Sequence, residues 1–315
     1  MKIAFCADPL DGFKIYKDST YAMMVEAARR GHEVHAFEQK DMAIQAGVVE
    51  ANVARIMIED ASGSQKRWYQ AAAPVAVALQ QFDAIVMRKD PPFDMEYIYA
   101  TYLLELAESH GARVFNRPVA VRSHNEKLAI TQFPQFIAPT LVTSDDARIR
   151  AFHAQHRDII LKPLDGMGGT GIFRVREDAM NLGAIIETLT ANGRATIMVQ
   201  RFIPEIAQGD KRILLIGGTV VPFCLARIPQ GGEVRGNLAA GGLGVAQPIS
   251  ARDHEIAATL APELAARGLL LVGLDVIGNY MTEINVTSPT CFQEITRQTG
   301  FDVAALFIDA LEKSI

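Results

Sequence analysis

Residues 159–176 have the sequence IILKPLDGMGGTGIFRVR, an apolar strand, a glycine-rich loop and a second strand-like run. The glycines match the G-x-G-x-x-G pattern of dinucleotide-binding folds, but that pattern requires a helix directly after them. Alternating apolar and basic residues follow instead, and no Gly-Lys-Ser/Thr ending indicates a Walker loop. Two interpretations stay open and are about equally favoured: a flap whose backbone N–H groups cover phosphates, and an ordinary hairpin loop.

The chain before this motif alternates short apolar strands with helical patterns. The predicted strands are Ile3–Ala7, Val34–Phe37, Ala84–Met87 and Arg113–Phe115, and the predicted helices are Tyr21–Arg30 and Met95–His110. This order is typical of a doubly wound α/β domain with a parallel sheet. Asn116-Arg117-Pro118 ends the pattern, so we expect a first domain over residues 1–121. No structure is predicted for residues 48–73.

Residues 122–315 mix hairpins with helices, which predicts an α+β domain. Hairpins are expected around Gly217-Gly218 and between the runs Leu270–Val276 and Met281–Val286. Residues 229–248 are expected to be irregular, and residues 229–244 within them contain six glycines without clear periodicity. Long irregular segments inside a domain are usually functional, so residues 228–243 are predicted to form a mobile lid rather than a linker.

Composition excludes several classes of protein. The chain has 315 residues, of which 49% are hydrophobic and 21% charged, and this excludes intrinsic disorder. A net charge of −5 argues against a nucleic-acid partner, and no apolar run is long enough to span a membrane. Three widely spaced cysteines and the lack of a leader sequence predict a reduced, cytoplasmic protein.

One carboxylate stands inside the apolar run LLLVGLDVIG (269–278). Asp275 is costly to bury there unless it meets a cation or several donors. Glu283 and Asn285 share one face of the next predicted strand, and three oxygen ligands of this kind suit Mg²⁺. A three-residue turn or a bulge would pair Asp275 with Glu283 and is therefore predicted. The alternative is a salt-bridged structural aspartate.

Basic residues surround these segments. Lys162 ends the strand before the glycines, Lys127 follows Asn125, and Arg212 and Arg227 stand near opposite ends of the central hairpin. An anionic substrate bound with Mg²⁺ needs such cations. Arg88 ends a strand at the edge where α/β sheets bind ligands, although a capped turn is equally compatible. The histidines form no ligand set, so His153 and His156 are expected on a solvated helix face.

Eight segments together match one enzyme family: MRKDPPFD (87–94), IYATY (98–102), NEKL (125–128), IILKPLDGMGG (159–169), LARIPQGGE (225–233), RGNLAAGG (235–242), VGLDVIG (272–278) and TEINVTSPTC (282–291). The chain resembles the bacterial glutathione synthetases, a branch of the ATP-grasp ligases, from its first strand to its last helix. The resemblance implies a peptide-binding domain over residues 1–121 and an ATP-grasp fold over residues 122–315. The latter would comprise a lid subdomain (122–203) and a C-terminal subdomain (204–315) that carries the lid loop.

The resemblance also implies an ADP-forming ligase that joins γ-glutamylcysteine to glycine through an acyl phosphate and yields glutathione. It assigns ATP to Lys127, Lys162, Gly166, Gly168, Gly169, Gly171, Gln200, Arg201, Phe202, Ile203 and Asp210. It assigns Mg²⁺ or Mn²⁺ to Asp275, Glu283 and Asn285, and the reacting phosphate and carboxylate to Arg212 and Arg227. The substrate side would comprise Asp18, Ser19, Arg88, Arg235, Ser288, Pro289 and Thr290. The family is commonly a homotetramer.

Two alternatives remain at this point. Another ATP-grasp carboxylate–amine ligase would keep the ATP site and change the pocket of the first domain. A non-catalytic ATP-binding module has less need of Lys127, Lys162 and the three oxygen ligands together. Leu243 is one departure from the family, since related lids carry a basic residue there.

Overall fold

The chain folds into three β-sheets flanked by helices. A computed structural model describes residues 1–59, 68–231, 236 and 241–315. Its strands in chain order are β1 Lys2–Cys6, β2 Glu33–Phe37, β3 Met42–Gln45, β4 Val48–Ile58, β5 Tyr69–Ala71, β6 Val75–Ala78, β7 Ala84–Met87, β8 Val114–Phe115, β9 Thr140–Thr143, β10 Ile159–Pro163, β11 Phe173–Val175, β12 Ile197–Arg201, β13 Asp210–Ile216, β14 Thr219–Ile228, β15 Leu243–Pro248, β16 Leu271–Ile277 and β17 Tyr280–Asn285. Its helices are α1 Ser19–Arg29, α2 Met95–Ser109, α3 Pro118–Arg122, α4 Asp146–His156, α5 Leu182–Leu189, α6 Ala251–Ala266, α7 Phe292–Thr299 and α8 Val303–Lys313.

The first sheet confirms the predicted doubly wound arrangement. Strands β2, β1, β7 and β8 are parallel neighbours in that order. Successive residues of β1 point to opposite faces, so Phe5 packs in the core that contains Met23 of α1, whereas Ala4 packs in the core that contains Leu104 of α2. Strands β3 to β6 extend this sheet through antiparallel pairs with β2 and with one another, an addition that the sequence analysis did not predict.

The other two sheets are antiparallel, which confirms the α+β prediction for the rest of the chain. One has the order β11-β10-β12-β9, and helices α4 and α5 pack on it through Ile149 and Ile186. The other has the order β15-β14-β13-β16-β17. The predicted Gly217-Gly218 turn joins β13 to β14, where both glycines have positive φ angles.

The connection between β16 and β17 sets the faces of the acidic side chains. Ile277 pairs with Tyr280 across a two-residue turn, and Asp275 pairs directly with Glu283. The register shifts between Asp275 and Val276, which leaves Thr282 as the extra residue of a bulge. The predicted register is therefore confirmed, and a bulge rather than a longer turn produces it.

Two sequence expectations need correction. His153 is buried and its Nε2 lies 2.8 Å from the carbonyl oxygen of Arg176, because α4 packs this side against β11. The stretch assigned to irregular structure also contains β15, which pairs with β14. Much of the predicted lid, with Arg235, lies outside the described residues. Among the described helices, none has the length and apolar character needed to cross a membrane.

Candidate functional site

A cavity lies between the sheet that holds β10 and the sheet that holds β16 and β17. The glycine-rich loop connects the antiparallel strands β10 and β11 and also forms one wall of the cavity. It is therefore a hairpin loop whose position suits a phosphate-covering flap. Of the residues assigned to ATP, ten line this cavity: Lys127, Lys162, Gly166, Gly168, Gly169, Gln200, Arg201, Phe202, Ile203 and Asp210. The eleventh, Gly171, lies at the base of the flap, where a Cβ would contact Pro163 at 3.2 Å.

We call this cavity the nucleotide cavity, after the ligand that the family resemblance assigns to its residues. Two lysines enter it at one end. The Lys162 side chain is buried, and its Nζ donates to the carbonyl oxygen of Thr282 at 3.3 Å. Burial lowers the pKa of Lys162 to about 8. Lys127 Nζ lies 3.6 Å from Glu283 Oε1 and donates to the carbonyl oxygen of Gly166 in the flap. Both ammonium groups thus stand where phosphates covered by the flap would lie.

The opposite end of the nucleotide cavity is apolar. Ile160, Ile172 and Ile206 line it beside Phe202 and Ile203. Such a pocket with a few fixed polar groups suits an aromatic base. The sequence analysis missed these isoleucines. Ile160 alone carried a signal, because it lies two residues before Lys162 on β10 and therefore on the same face of the strand.

Three buried charges and the half-buried carboxylate of Asp210 lie between β13, β14 and β16. Arg212 donates to both oxygens of Asp275, at 2.5 and 3.0 Å, and Arg227 lies 2.8 Å from the same carboxylate. Arg227 also donates to Asp210 Oδ2 at 2.5 Å. Burial alone would raise the pKa of Asp275, but the guanidinium groups of Arg212 and Arg227 hold it well below its ordinary value. The four residues form a compensated ion cluster.

Asp210 is the exposed end of this ion cluster toward the nucleotide cavity. Burial raises its pKa to about 7, against the opposing effect of Arg227. Its Oδ1 is buried and has no hydrogen-bond partner among the residues that the structure describes. An unsatisfied acceptor of this kind can receive a ligand hydroxyl.

Of the three residues assigned to the metal, Asp275 and Glu283 line the nucleotide cavity, and Asn285 lines a second cavity next to it. Asp275 and Glu283 are direct cross-strand partners, and Asn285 follows Glu283 on the same face. Asn285 Nδ2 donates to the carbonyl oxygen of Gly273 at 3.2 Å, which leaves its Oδ1 as an acceptor. Among the described residues, no three His, Cys, Asp or Glu side chains are grouped to hold a metal. A set of two carboxylates and one amide oxygen nevertheless fits Mg²⁺, which takes few protein ligands.

A second cavity adjoins the first and reaches the first domain. We call it the peptide cavity. Asp18, Ser288, Pro289 and Thr290 line it, as do Arg212, Arg227 and Asn285. Gly166, Gly168 and Glu283 line both cavities. The ion cluster therefore stands where the two cavities meet.

Ser19 and Arg88 do not line the peptide cavity but lie behind its wall, and their assignment to the substrate stays a prediction. Asp18 is the N-cap of α1 and accepts from the Tyr21 backbone N–H at 2.8 Å, while Ser19 Oγ accepts from the Phe292 backbone N–H at 3.2 Å. The N-terminus of α1 thus already holds a carboxylate. Arg88 is buried and donates to Thr20 Oγ1 and to the carbonyl oxygen of Pro289. Both residues shape the wall that Pro289 presents.

Sequence reasoning missed several charged residues of the peptide cavity, including Lys17, Asp90, Glu126 and Glu294. Asp90 accepts from Ser288 Oγ at 2.5 Å, across the boundary between the two domains. Lys17 adjoins Asp18, and Glu126 adjoins Lys127, so proximity to a predicted residue was the available signal.

Two family models match the chain: the N-terminal domain of prokaryotic glutathione synthetase over residues 1–122, and its ATP-grasp domain over residues 126–300. The chain belongs to the prokaryotic glutathione synthetases. The glutathione synthetase of Ralstonia nicotianae is 61% identical over 314 residues, covering 100% of this chain and 96% of that protein. The enzyme of Nitrosomonas europaea is 60% identical, and that of Vibrio cholerae is 51% identical, each covering 100% of this chain and 98% of the relative.

Solved structures show the same fold at low identity. D-cycloserine synthetase DcsG superposes with a TM-score of 0.69 at 18% identity and covers 99% of both chains. The ATP-grasp ligase PsnB bound to a minimal precursor superposes with a TM-score of 0.64 at 17% identity, over 100% of both chains. Because the chain belongs to the prokaryotic glutathione synthetases, it is an ADP-forming ligase with the ATP-grasp fold, and ATP is its nucleotide.

Proposed function

We propose that the chain joins γ-glutamylcysteine to glycine and releases glutathione, ADP and phosphate. One observation carries the proposal beyond family membership: the nucleotide cavity and the peptide cavity share Gly166, Gly168 and Glu283. The terminal phosphate of a nucleotide in the first cavity would therefore meet a carboxylate in the second. That contact is the geometry a carboxylate–amine ligase needs.

The nucleotide end has a simple division of roles. Gln200, Arg201, Phe202 and Ile203 would frame the adenine, and Asp210 Oδ1 would accept from a ribose hydroxyl. Lys127 and Lys162 would neutralise phosphate oxygens under the flap of residues 166–171. Because the site is partly buried, these charges act more strongly than they would in water.

Asp275, Glu283 and Asn285 would hold Mg²⁺, or Mn²⁺ in its place. The ion supplies positive charge to phosphate oxygens during phosphoryl transfer. Asp275 can serve only if it releases part of its bonding to Arg212 and Arg227. Those guanidinium groups are then available to the substrate, since each carries several donors.

The reaction would proceed in two displacements. The cysteinyl carboxylate of the peptide forms a bond to the terminal phosphorus of ATP, and ADP leaves. The amine of glycine then attacks the acyl carbon, phosphate leaves, and the amine loses a proton. Arg212 and Arg227 would stabilise negative charge on the phosphate and on the acyl oxygen at both stages. Closure of the lid of residues 228–243 over this site would exclude water.

The peptide cavity would hold the γ-glutamyl end. Asp18, Ser288, Pro289 and Thr290 line its wall. Ser19 and Arg88 would act by holding that wall, and Arg235 would approach from the lid. Small-molecule substrates account for this cavity without a nucleic acid or a membrane.

ADP release measured with ATP and Mg²⁺ tests the proposal. We expect release only when γ-glutamylcysteine and glycine are both present, with glutathione detected by mass. Release with another peptide or amine would keep the ATP-grasp chemistry and place the error in the peptide cavity. Nucleotide binding without turnover under any pair would favour a binding module.

We also propose a cytoplasmic homotetramer. The three cysteines are buried and free, as a reducing compartment allows, and the tetramer rests on the family resemblance. Light scattering of the purified chain at several concentrations measures the assembly directly. A constant monomer mass would contradict it.

A further inference from the structure

Glu126 stands between the two cavities and has no role in the reaction as proposed above. Its Oε1 accepts three hydrogen bonds: from the Val286 backbone N–H at 2.8 Å, from the Thr287 backbone N–H at 3.1 Å and from Thr287 Oγ1 at 2.8 Å. Its own carbonyl oxygen accepts from the Ile284 backbone N–H at 2.9 Å. A single residue thus accepts hydrogen bonds from three residues of one segment beyond the bulge of β17, namely Ile284, Val286 and Thr287.

The segment that Glu126 holds contains residues that line the peptide cavity. Its donors Ile284 and Val286 flank Asn285, which lines the peptide cavity. Thr287 is followed by the wall residues Ser288, Pro289 and Thr290, which leave the regular strand. Past Asn285 this segment has no strand partner to fix it, because β17 ends there. The carboxylate of Glu126 supplies the missing acceptor.

The other side of Glu126 is the nucleotide cavity. Lys127 follows it directly, contacts Glu283 and donates to the flap. Asn125 precedes it and fixes the start of the next turn, since Asn125 Oδ1 accepts from the backbone N–H groups of Lys127 and Leu128. Within Asn125-Glu126-Lys127, two side chains therefore have separate structural roles. Asn125 fixes the backbone that carries Lys127, and Glu126 fixes the wall of the peptide cavity.

We propose that Glu126 is a positioning residue for the ligation, which fixes the wall of residues 285–288 relative to the phosphate lysine Lys127. The proposal rests on the proposed function. Glu126 acts through the segment that it holds. Removal of its side chain should therefore disturb peptide binding and turnover, whereas the residues around the base and ribose should keep their positions.

Two neighbouring variants separate these effects. Glu126→Ala removes the acceptor, and we expect kcat to fall and KM for γ-glutamylcysteine to rise, with kcat/KM lowered about 10- to 100-fold. The dissociation constant for ADP, measured without metal, should change less than about threefold, since a shift within that range is below one ordinary hydrogen bond. Asn125→Ala should show the opposite pattern, with weaker ADP binding and a smaller change in KM for the peptide.

Conservative replacement supplies the decisive readout. Glu126→Gln keeps a side-chain oxygen that can accept the same N–H groups, so we expect it to recover most of the lost kcat/KM. Thr287→Val removes one of the three bonds and should give an intermediate loss. Glu255→Ala, on the exposed face of α6, serves as the matched carboxylate control and should behave as wild type.

Hydrogen exchange keeps the proposal testable even if Glu126→Ala is poorly folded. In Glu126→Gln and Thr287→Val, the amides of Val286 and Thr287 should stay protected in proportion to recovered activity. Equal losses in Glu126→Gln and Glu126→Ala would overturn the proposal, as would a Glu126→Ala enzyme with wild-type KM and kcat. If the wild-type enzyme is inactive with both γ-glutamylcysteine and glycine, the result would instead contradict the proposed function.

Discussion

The nucleotide cavity and the ion cluster beside it hold their cations in opposite ways. Lys162 is buried with a carbonyl oxygen at 3.3 Å as its hydrogen-bond partner, and burial lowers its pKa. Arg212 and Arg227 are equally buried, but the carboxylates of Asp275 and Asp210 compensate them. Lys162 is therefore available to a ligand, and its burial reduces the stability of the fold. Arg212 and Arg227 instead keep their carboxylate partners until a ligand competes for them. Mutations should separate function from stability along this line.

The largest effect is expected on the shared edge of the two cavities. Glu283→Ala removes a proposed metal ligand whose observed ionic contact is with Lys127 at 3.6 Å, so the fold should lose little. We expect kcat to fall by about a thousandfold or more, as for loss of a main electrostatic group, with a nearly unchanged melting curve. Steady-state ADP release measures the loss. Glu187→Ala, an exposed carboxylate on α5, is the control, and normal turnover of Glu283→Ala would show that the metal is misplaced.

The ion cluster should respond in stability as well as in turnover. Arg212→Met leaves Asp275 buried with one guanidinium instead of two, so the free energy of unfolding should fall by about 3–5 kcal/mol. Lys127→Met should cost less than about 1 kcal/mol, since its carboxylate partner is partly exposed and distant. Urea denaturation gives both values. Equal destabilisation by the two variants would break the comparison.

The lysine should respond to pH. Because the pKa of Lys162 is about 8 in the fold and 10.5 in the unfolded chain, the folded protein loses this proton first as pH rises. ADP affinity should therefore decline above about pH 8, by up to tenfold per unit, as the ammonium charge is lost. The stability contribution of Lys162 has the opposite slope: it rises between pH 8 and 10.5, where the unfolded state binds more protons. Titration calorimetry with Lys162→Arg, which stays charged, provides the control, and an identical decline in that variant would exclude Lys162 as the cause.

The flap should give the smallest effect. A Cβ at Gly166 would lie 3.0 Å from both Pro163 Cγ and the carbonyl oxygen of Thr170, so Gly166→Ala must displace the loop. We expect KM for ATP to rise about fivefold, which corresponds to roughly 1 kcal/mol of strain, with KM for the peptide little changed. Gly183→Ala, inside helix α5, should leave both constants unchanged. An equal rise in the two KM values for Gly166→Ala would show that the flap serves both cavities alike.

The residues that line the nucleotide cavity were named through the family resemblance, and most of them belong to a few continuous segments. The run from Lys162 to Gly171 and the run from Gln200 to Ile203 each lie at the end of a predicted strand. Residues that follow the end of one strand lie close together in space. The Asp275–Glu283 pair was predicted by the chemistry of a buried carboxylate, and the bulge at Thr282 produced it. The peptide cavity was less predictable because it joins loops from both domains, such as Asp90 and Ser288, which are far apart in sequence.

Two local differences between the sequence analysis and the structure have a similar origin. Ser19 has the residue type and helix position of an anion ligand, but Asp18 takes the capping role and Phe292 approaches from the far end of the chain. His153 looks solvated from its own helix, and only the approach of β11 buries it. A local sequence pattern shows which side chains a helix or strand carries. The elements packed against it determine which of those side chains remain accessible to a ligand.

By itself the sequence determined the parallel sheet, the antiparallel hairpins, the position of the glycine-rich loop and the family, because strand order, glycine placement and residue type are local properties of the chain. The tertiary structure alone decided which charges compensate each other and which face a cavity. The pairing of Arg212 and Arg227 with Asp275, the supporting place of Arg88 and the hold of Glu126 on residues 286 and 287 all depend on distances between segments far apart in sequence. Electrostatic and hydrogen-bond energies fall steeply with such distances, so no pattern along the chain specifies them.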